Sequence, residues 1–135
     1  MFRSPKMQRW VGRWIMGVGV MHLLIGVVLF AAPLREIVAA GIWNTLNPGT
    51  PTRYLAFWFL FGGVATVIVG YLADWIECVA GRTLPQPLGW ALLAITLAGV
   101  IVTPLSGFWL LFPAAFGALA QSRSLSSQER AQSSH

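Results

Sequence analysis

Residues 88–120 read LGWALLAITLAGVIVTPLSGFWLLFPAAFGALA, 33 positions without a charge. As one helix this stretch would be about 50 Å long, against a bilayer hydrocarbon core of about 30 Å. Its middle holds Pro104-Leu105-Ser106-Gly107. Proline cannot continue a helical ladder and glycine permits a sharp reversal, so the stretch divides into two helices. Their expected bounds are about 88–103 and 106–121. Both are short for a bilayer, which calls for local thinning or burial against neighbouring helices. Pro113 is expected to kink the second of them.

Two further apolar runs precede this stretch. Trp10 to Ala32 is 23 residues long with one charge, Arg13, and Tyr54 to Ile76 is 23 residues long with one charge, Asp74. Each is long enough to span a bilayer, and Trp10, Trp14, Tyr54 and Trp75 sit where interfacial aromatics belong. The composition agrees: of 135 residues, 56% are hydrophobic and 10% charged, less than half the charge of an ordinary globular domain, about 25%. Such a chain is too apolar to be disordered in bulk, and Cys78 stands alone, which excludes a disulfide-stapled secreted domain. The expected fold is an all-α integral membrane protein, an antiparallel bundle of four transmembrane helices over about 10–32, 54–76, 88–103 and 106–121. A basic arm (1–9) precedes the bundle and a serine- and glutamine-rich tail (122–135), expected to be disordered, follows it. In the first connection, Pro33 can open a short interfacial helix over Leu34–Ala40 that Gly41 would stop.

Charge sets the orientation. Arg3, Lys6, Arg9, Arg13, Arg82, Arg123 and Arg130 fall on one side, Arg35 and Arg53 on the other. The positive-inside rule then places both termini in the cytoplasm, in the cytoplasmic (inner) membrane. A signal peptide is disfavoured, because the first apolar run exceeds the usual h-region and its small residues Ala31 and Ala32 run straight into Pro33. The net charge of +5 flanks membrane spans and forms no recognition element, so anionic lipid rather than nucleic acid is the expected partner.

Small residues recur at helical spacing: Gly12, Gly19 and Gly26 in the first run, Gly63, Thr66 and Gly70 followed by Asp74 in the second, and Gly89, Thr96 and Thr103 with Gly99 in the third. In lipid such faces bring helices together, within the chain or between copies. Among polar residues, Arg13 and Asp74 lie near the same end of antiparallel neighbours and form a candidate ion pair. His22 lies near the midplane of the first span, where a polar ring needs a partner. Thr66, Thr96 and the Trp109 carbonyl, which Pro113 deprives of its helical donor, are its candidate acceptors and complete a candidate buried polar or ligand site.

Several segments together carry a family resemblance: Gly12-Arg13-Trp14, His22 and Gly26, Phe57-Trp58-Phe59-Leu60-Phe61-Gly62-Gly63, Leu88-Gly89-Trp90 and Pro104-Leu105-Ser106-Gly107-Phe108-Trp109-Leu110. Over about residues 10–121 the chain resembles a family of small bacterial four-span proteins of unknown function, distantly similar to the DoxX-like group. Some DoxX-like proteins are membrane partners of quinone-linked or thiol-linked redox enzymes, and the resemblance implies a role of that kind. The chain has no Cys-x-x-Cys pair for thiol exchange.

No glycine-rich phosphate loop, metal-binding histidine pair or catalytic constellation is present in the sequence. The leading expectation is a non-enzymatic accessory or anchor subunit of a membrane complex, with no catalytic residues, metal or obligatory cofactor. The alternative is a binder of an apolar small molecule, a quinone or a lipid, in a cavity lined by Trp58, Phe59, Trp90, Trp109 and Phe112. An oligomeric proton-coupled transporter comes third, with His22 its one deep titratable group.

Overall fold

A computed structural model describes residues 10–47 and 49–132, with side chains as far as Arg123. The basic arm over 1–9 lies outside the described residues. Those described are helical and irregular, with no strand: α1 (Val11–Leu29), α2 (Ala31–Ala39), α3 (Pro51–Cys78), α4 (Gln86–Val102), a 3-10 turn (Gly107–Leu111) and α5 (Phe112–Gln132). Two of these, α1 and α3, are long and apolar enough to cross a membrane. Helix α4 is apolar but shorter, at 17 residues.

The helix ends follow from local chemistry. Helix α1 stops at Leu29, three residues short of the expected end, because Phe30 leaves helical geometry (φ −106°, ψ 24°). Helix α2 begins one residue later and carries Pro33 in its first turn, where the missing N–H has no acceptor to serve. It closes on Gly41 at φ +90°. The Gly41 N–H donates to the Val38 carbonyl and the Ile42 N–H to the Ile37 carbonyl, both at 3.0 Å. This bond pair is the Schellman termination, which favours glycine at the left-handed position. Helix α3 opens on Pro51 and runs 28 residues, about 42 Å, outlasting the expected span at both ends. Gly81 at φ +60° then turns the chain so that the Arg82 N–H donates to the Ile76 carbonyl at 3.1 Å.

The division of the long uncharged stretch falls at the expected place. Helix α4 ends at Val102, and the Thr103 N–H and hydroxyl both donate to the Gly99 carbonyl at 2.8 Å before Pro104. Beyond it, the single helix expected over 106–121 is two elements. Pro113 does not kink a helix; it occupies the second position of α5, where a proline breaks no intrahelical bond. The tail also departs from expectation, since α5 continues to Gln132. No glycine or proline interrupts residues 118–132, and a helix already nucleated extends through such residues at little further cost.

Packing is pairwise. Helices α1 and α3 form one close antiparallel hairpin, and α4 with α5 forms the other. The two join through α1 against α5 and the 3-10 turn, while α3 and α4 do not pack directly against each other. Glycine sets the closeness of the first hairpin. A Cβ added to Gly12 would meet the backbone of Asp74, one on Gly70 would lie 2.5 Å from the Met16 nitrogen, and one on Gly19 would lie 2.8 Å from the Val67 nitrogen. In the second hairpin Gly89 receives Leu119 and Gly99 receives the Phe108 ring. Where the hairpins meet, Val11, Ile15, Ala73, Leu84, Leu92, Ala114, Ala115 and Ala118 form one buried cluster. That cluster gathers around the first turns of α1; the far ends, with Leu24, Ile25, Val27, Val28 and Leu29 on α1 and Ile101 and Val102 on α4, carry exposed apolar side chains.

Candidate functional site

The buried residues of α3 include Ala56, Gly63, Gly70 and Glu77, spaced by seven along one face. Three are small, and α1 lies directly against Gly63 and Gly70; the fourth is a glutamate, only 2% exposed. Each of its two oxygens accepts a bond. Oε2 accepts the Gly12 N–H at 3.0 Å, and Oε1 accepts the Gln121 side-chain amide at 2.7 Å. The Gln121 carbonyl oxygen in turn accepts the Leu84 N–H at 3.4 Å. One connected set of bonds thus joins α1, α3, α5 and the segment before α4. Gly12 is the second residue of α1, so the carboxylate satisfies one of the orphan donors of a helix N-terminus and faces its positive dipole end. Sequence reasoning did not single out Glu77, which stands one residue past the expected end of the second span at Ile76. The seven-residue spacing from Gly63 and Gly70 was the available signal.

Beside this network lie Arg13 and Asp74. The Arg13 Nε is 3.2 Å from Asp74 Oδ1, with the side chains 69% and 24% exposed. The Cys78 thiol donates to the same carboxylate at 3.5 Å, and Arg13 Nη2 lies 3.9 Å from the sulfur. The exposure of Arg13 limits the pair to at most about 1 kcal/mol. At the opposite end of the hairpin, Arg53 Nε meets Glu36 Oε2 at 3.1 Å and ties α2 to α3.

His22 reaches across to α3. Its Nε2 donates to the Phe59 carbonyl at 3.0 Å, and its ring stacks on the Phe59 ring at 3.9 Å and 12°. Since a carbonyl can only accept, the proton is on Nε2. Gly63 leaves room for the ring, with the histidine Cδ2 3.0 Å from where a Cβ would stand.

The other residues of the expected site do not converge on His22. The Thr66 hydroxyl donates to the Gly62 carbonyl at 2.8 Å, and the buried Thr96 hydroxyl to the Leu92 carbonyl at 2.6 Å, each within its own helix. The Trp109 carbonyl accepts the Phe112 N–H where the 3-10 turn passes into α5. Proline at the start of α5 therefore leaves no orphan acceptor there. The aromatic set is dispersed likewise. Trp58, Trp90 and Trp109 are exposed, Phe59 carries His22, and Phe112 stacks on Phe116 with the Trp109 ring tilted against it.

A groove of about 260 Å³ opens elsewhere, lined by Arg13, Trp14, Gly17, Val18 and Met21 of α1 and by Leu110 of the 3-10 turn. The Trp14 indole N–H donates to the Leu110 carbonyl at 2.7 Å and fixes one wall. Among the described residues no group of three or more His, Cys, Asp or Glu is placed to hold a metal ion. A model of a family of unknown function matches residues 6–125. No curated protein and no solved structure matches the chain.

Proposed function

The chain belongs to the DUF6463 family, a membership that carries no activity, and from its geometry we propose a non-enzymatic scaffold of the cytoplasmic membrane, an accessory or anchor subunit of a membrane complex. In this reading α1, α3, α4 and the 3-10 turn with α5 each cross the bilayer, and both termini lie in the cytoplasm. Only 28% of the apolar window of α1 and 17% of that of α3 are buried within the molecule, far from the burial of a core helix in a water-soluble domain. Exposed Trp58, Phe61, Ile68, Tyr71 and Leu72 on α3 suit lipid or an apolar partner.

The observation that carries the scaffold reading is Glu77. A buried carboxylate with both oxygens committed to the chain's own donors holds helices together. His22, with its ring stacked and its N–H bonded, is engaged in the same way, which disfavours a transporter. The glycine faces of α1 and α3 are used within the chain, so a partner would dock on the aromatic outer face of α3. The DoxX-like resemblance suggests the class of partner, a quinone-linked or thiol-linked redox enzyme.

A photoreactive residue in place of Trp58, activated in intact membranes, tests this reading. One recurrent protein adduct, recovered reciprocally from the partner, is expected. Adducts to lipid alone would overturn the accessory role. Single cysteines at Asn44 and Arg123, in a Cys78→Ser background, test the orientation. A membrane-impermeant thiol reagent applied to intact cells should label only the first.

A further inference from the structure

The groove beside α1 has the shape and polarity of a site for one amphiphile. Arg13, Trp14, Gly17, Val18 and Met21 occupy successive turns of one helical face, a stripe about 12 Å long. A cation stands at one end and apolar side chains continue from it. Gly17 forms the floor, and nothing lies within 4 Å of where its Cβ would be, so the space above it is open. Trp14 is anchored to Leu110 and does not swing across the opening.

The guanidinium is only partly engaged. Its Nε edge faces Asp74 and Cys78, and Nη1 makes no bond with a described residue. The side chain is 69% exposed. Arginine keeps its charge under all ordinary conditions and presents a planar fork matched to phosphate oxygens. Trp10 and Trp14 stack edge to face at the same level, 6.1 Å apart, as aromatics do at a headgroup boundary.

We infer that this groove binds one anionic glycerophospholipid, its phosphate on the outer edge of Arg13 and one acyl chain along Gly17, Val18 and Met21 beneath Leu110. Basic pockets between transmembrane helices take acidic headgroups in this manner. The inference rests on the reading that α1 spans the bilayer.

Two measurements separate the inference from that reading. Alkaline carbonate extraction of membranes comes first: release of the chain would remove the spanning reading, and the lipid site with it. Native mass spectrometry of the full chain from mixed micelles comes second. The micelles carry phosphatidylglycerol or phosphatidylcholine with identical acyl chains. Retention of a single phosphatidylglycerol, about tenfold over phosphatidylcholine, is expected from one charge-assisted contact. Arg13→Gln should reduce retention to the phosphatidylcholine level. Gly17→Leu should do the same by filling the floor, and its unfolding midpoint in lipid-free micelles should match that of the wild type. Equal retention of both lipids overturns the inference, as does wild-type retention in both variants or preferential retention of a neutral quinone. In a chain that resists extraction, any of these leaves the spanning reading intact.

Discussion

Truncating Glu77 to alanine removes the acceptor from two donors at once, the Gly12 N–H and the Gln121 amide, at a position 2% exposed. A buried donor left without a partner costs about 1–3 kcal/mol, so Glu77→Ala should destabilise the fold by about 3 kcal/mol once partial rehydration is allowed for. Glu77→Gln is more informative. Its carbonyl oxygen can serve one donor, but its amide then faces the other, so a loss of about 1–2 kcal/mol is expected. The exchange Glu77→Gln with Gln121→Glu restores the pattern in reverse. The new glutamine accepts from Gly12 and donates to the new glutamate, whose other oxygen accepts the Leu84 N–H. The double variant should fall within about 1 kcal/mol of wild type, better than the sum of its two single changes. Equilibrium unfolding in mixed micelles, followed by far-UV circular dichroism, gives the four free energies of the cycle. Strict additivity, or a Glu77→Ala chain as stable as wild type, would refute the claim that this carboxylate holds the helices together.

Further outcomes follow from the same contacts. Gly70→Ala places a Cβ 2.5 Å from the Met16 backbone nitrogen, so the hairpin must separate, and a loss of about 1–3 kcal/mol should appear in the same unfolding assay. Gly62→Ala, whose added Cβ would meet nothing within 4 Å, is its neutral control. His22→Leu removes the bond to the Phe59 carbonyl and the ring stack. About 1–2 kcal/mol should be lost, and His22→Gln should retain part of it; a stable leucine variant would show that the ring contributes nothing to the hairpin. A double-mutant cycle on Arg13 and Asp74 should return a coupling of at most about 1 kcal/mol that shrinks with added salt.

What could be read in the sequence was set by whether backbone or side chain decides it. Pro104 and Gly107 forced a break between α4 and the 3-10 turn because proline and glycine act on the backbone wherever they stand. Gly41 stopped α2 for the same reason. The facing of α1 and α3 was also legible, since Gly12, Gly19 and Gly26 repeat every seven residues as Gly63 and Gly70 do. Depth alone was not enough for His22. Gly19 lies opposite Val67 and Gly26 opposite Leu60, so Thr66 stands within a turn of the histidine's level. Its hydroxyl nevertheless bonds back to its own helix, as threonine commonly does within helices. Which acceptor a polar side chain takes depends on its rotamer, and spacing does not fix that. Glu77 was hidden by its label. It stands at the end of an apolar run, and nothing in its residue type separates a buried carboxylate from a solvated one.

The network at Glu77 also has an order in time. Its bond to Gly12 spans 65 positions of sequence and its bond to Gln121 spans 44, so the first helix is fastened by residues synthesised long after it. Until Glu77 emerges, the start of α1 has an unmet donor. Until Gln121 emerges, Glu77 has an unmet oxygen. In a chain whose helices enter a membrane one at a time, the close α1–α3 hairpin would thus carry one unpaired buried oxygen until α5 arrives. An intermediate that lacks α5 keeps one unpaired Glu77 oxygen at its packed end, and the finished fold pairs it.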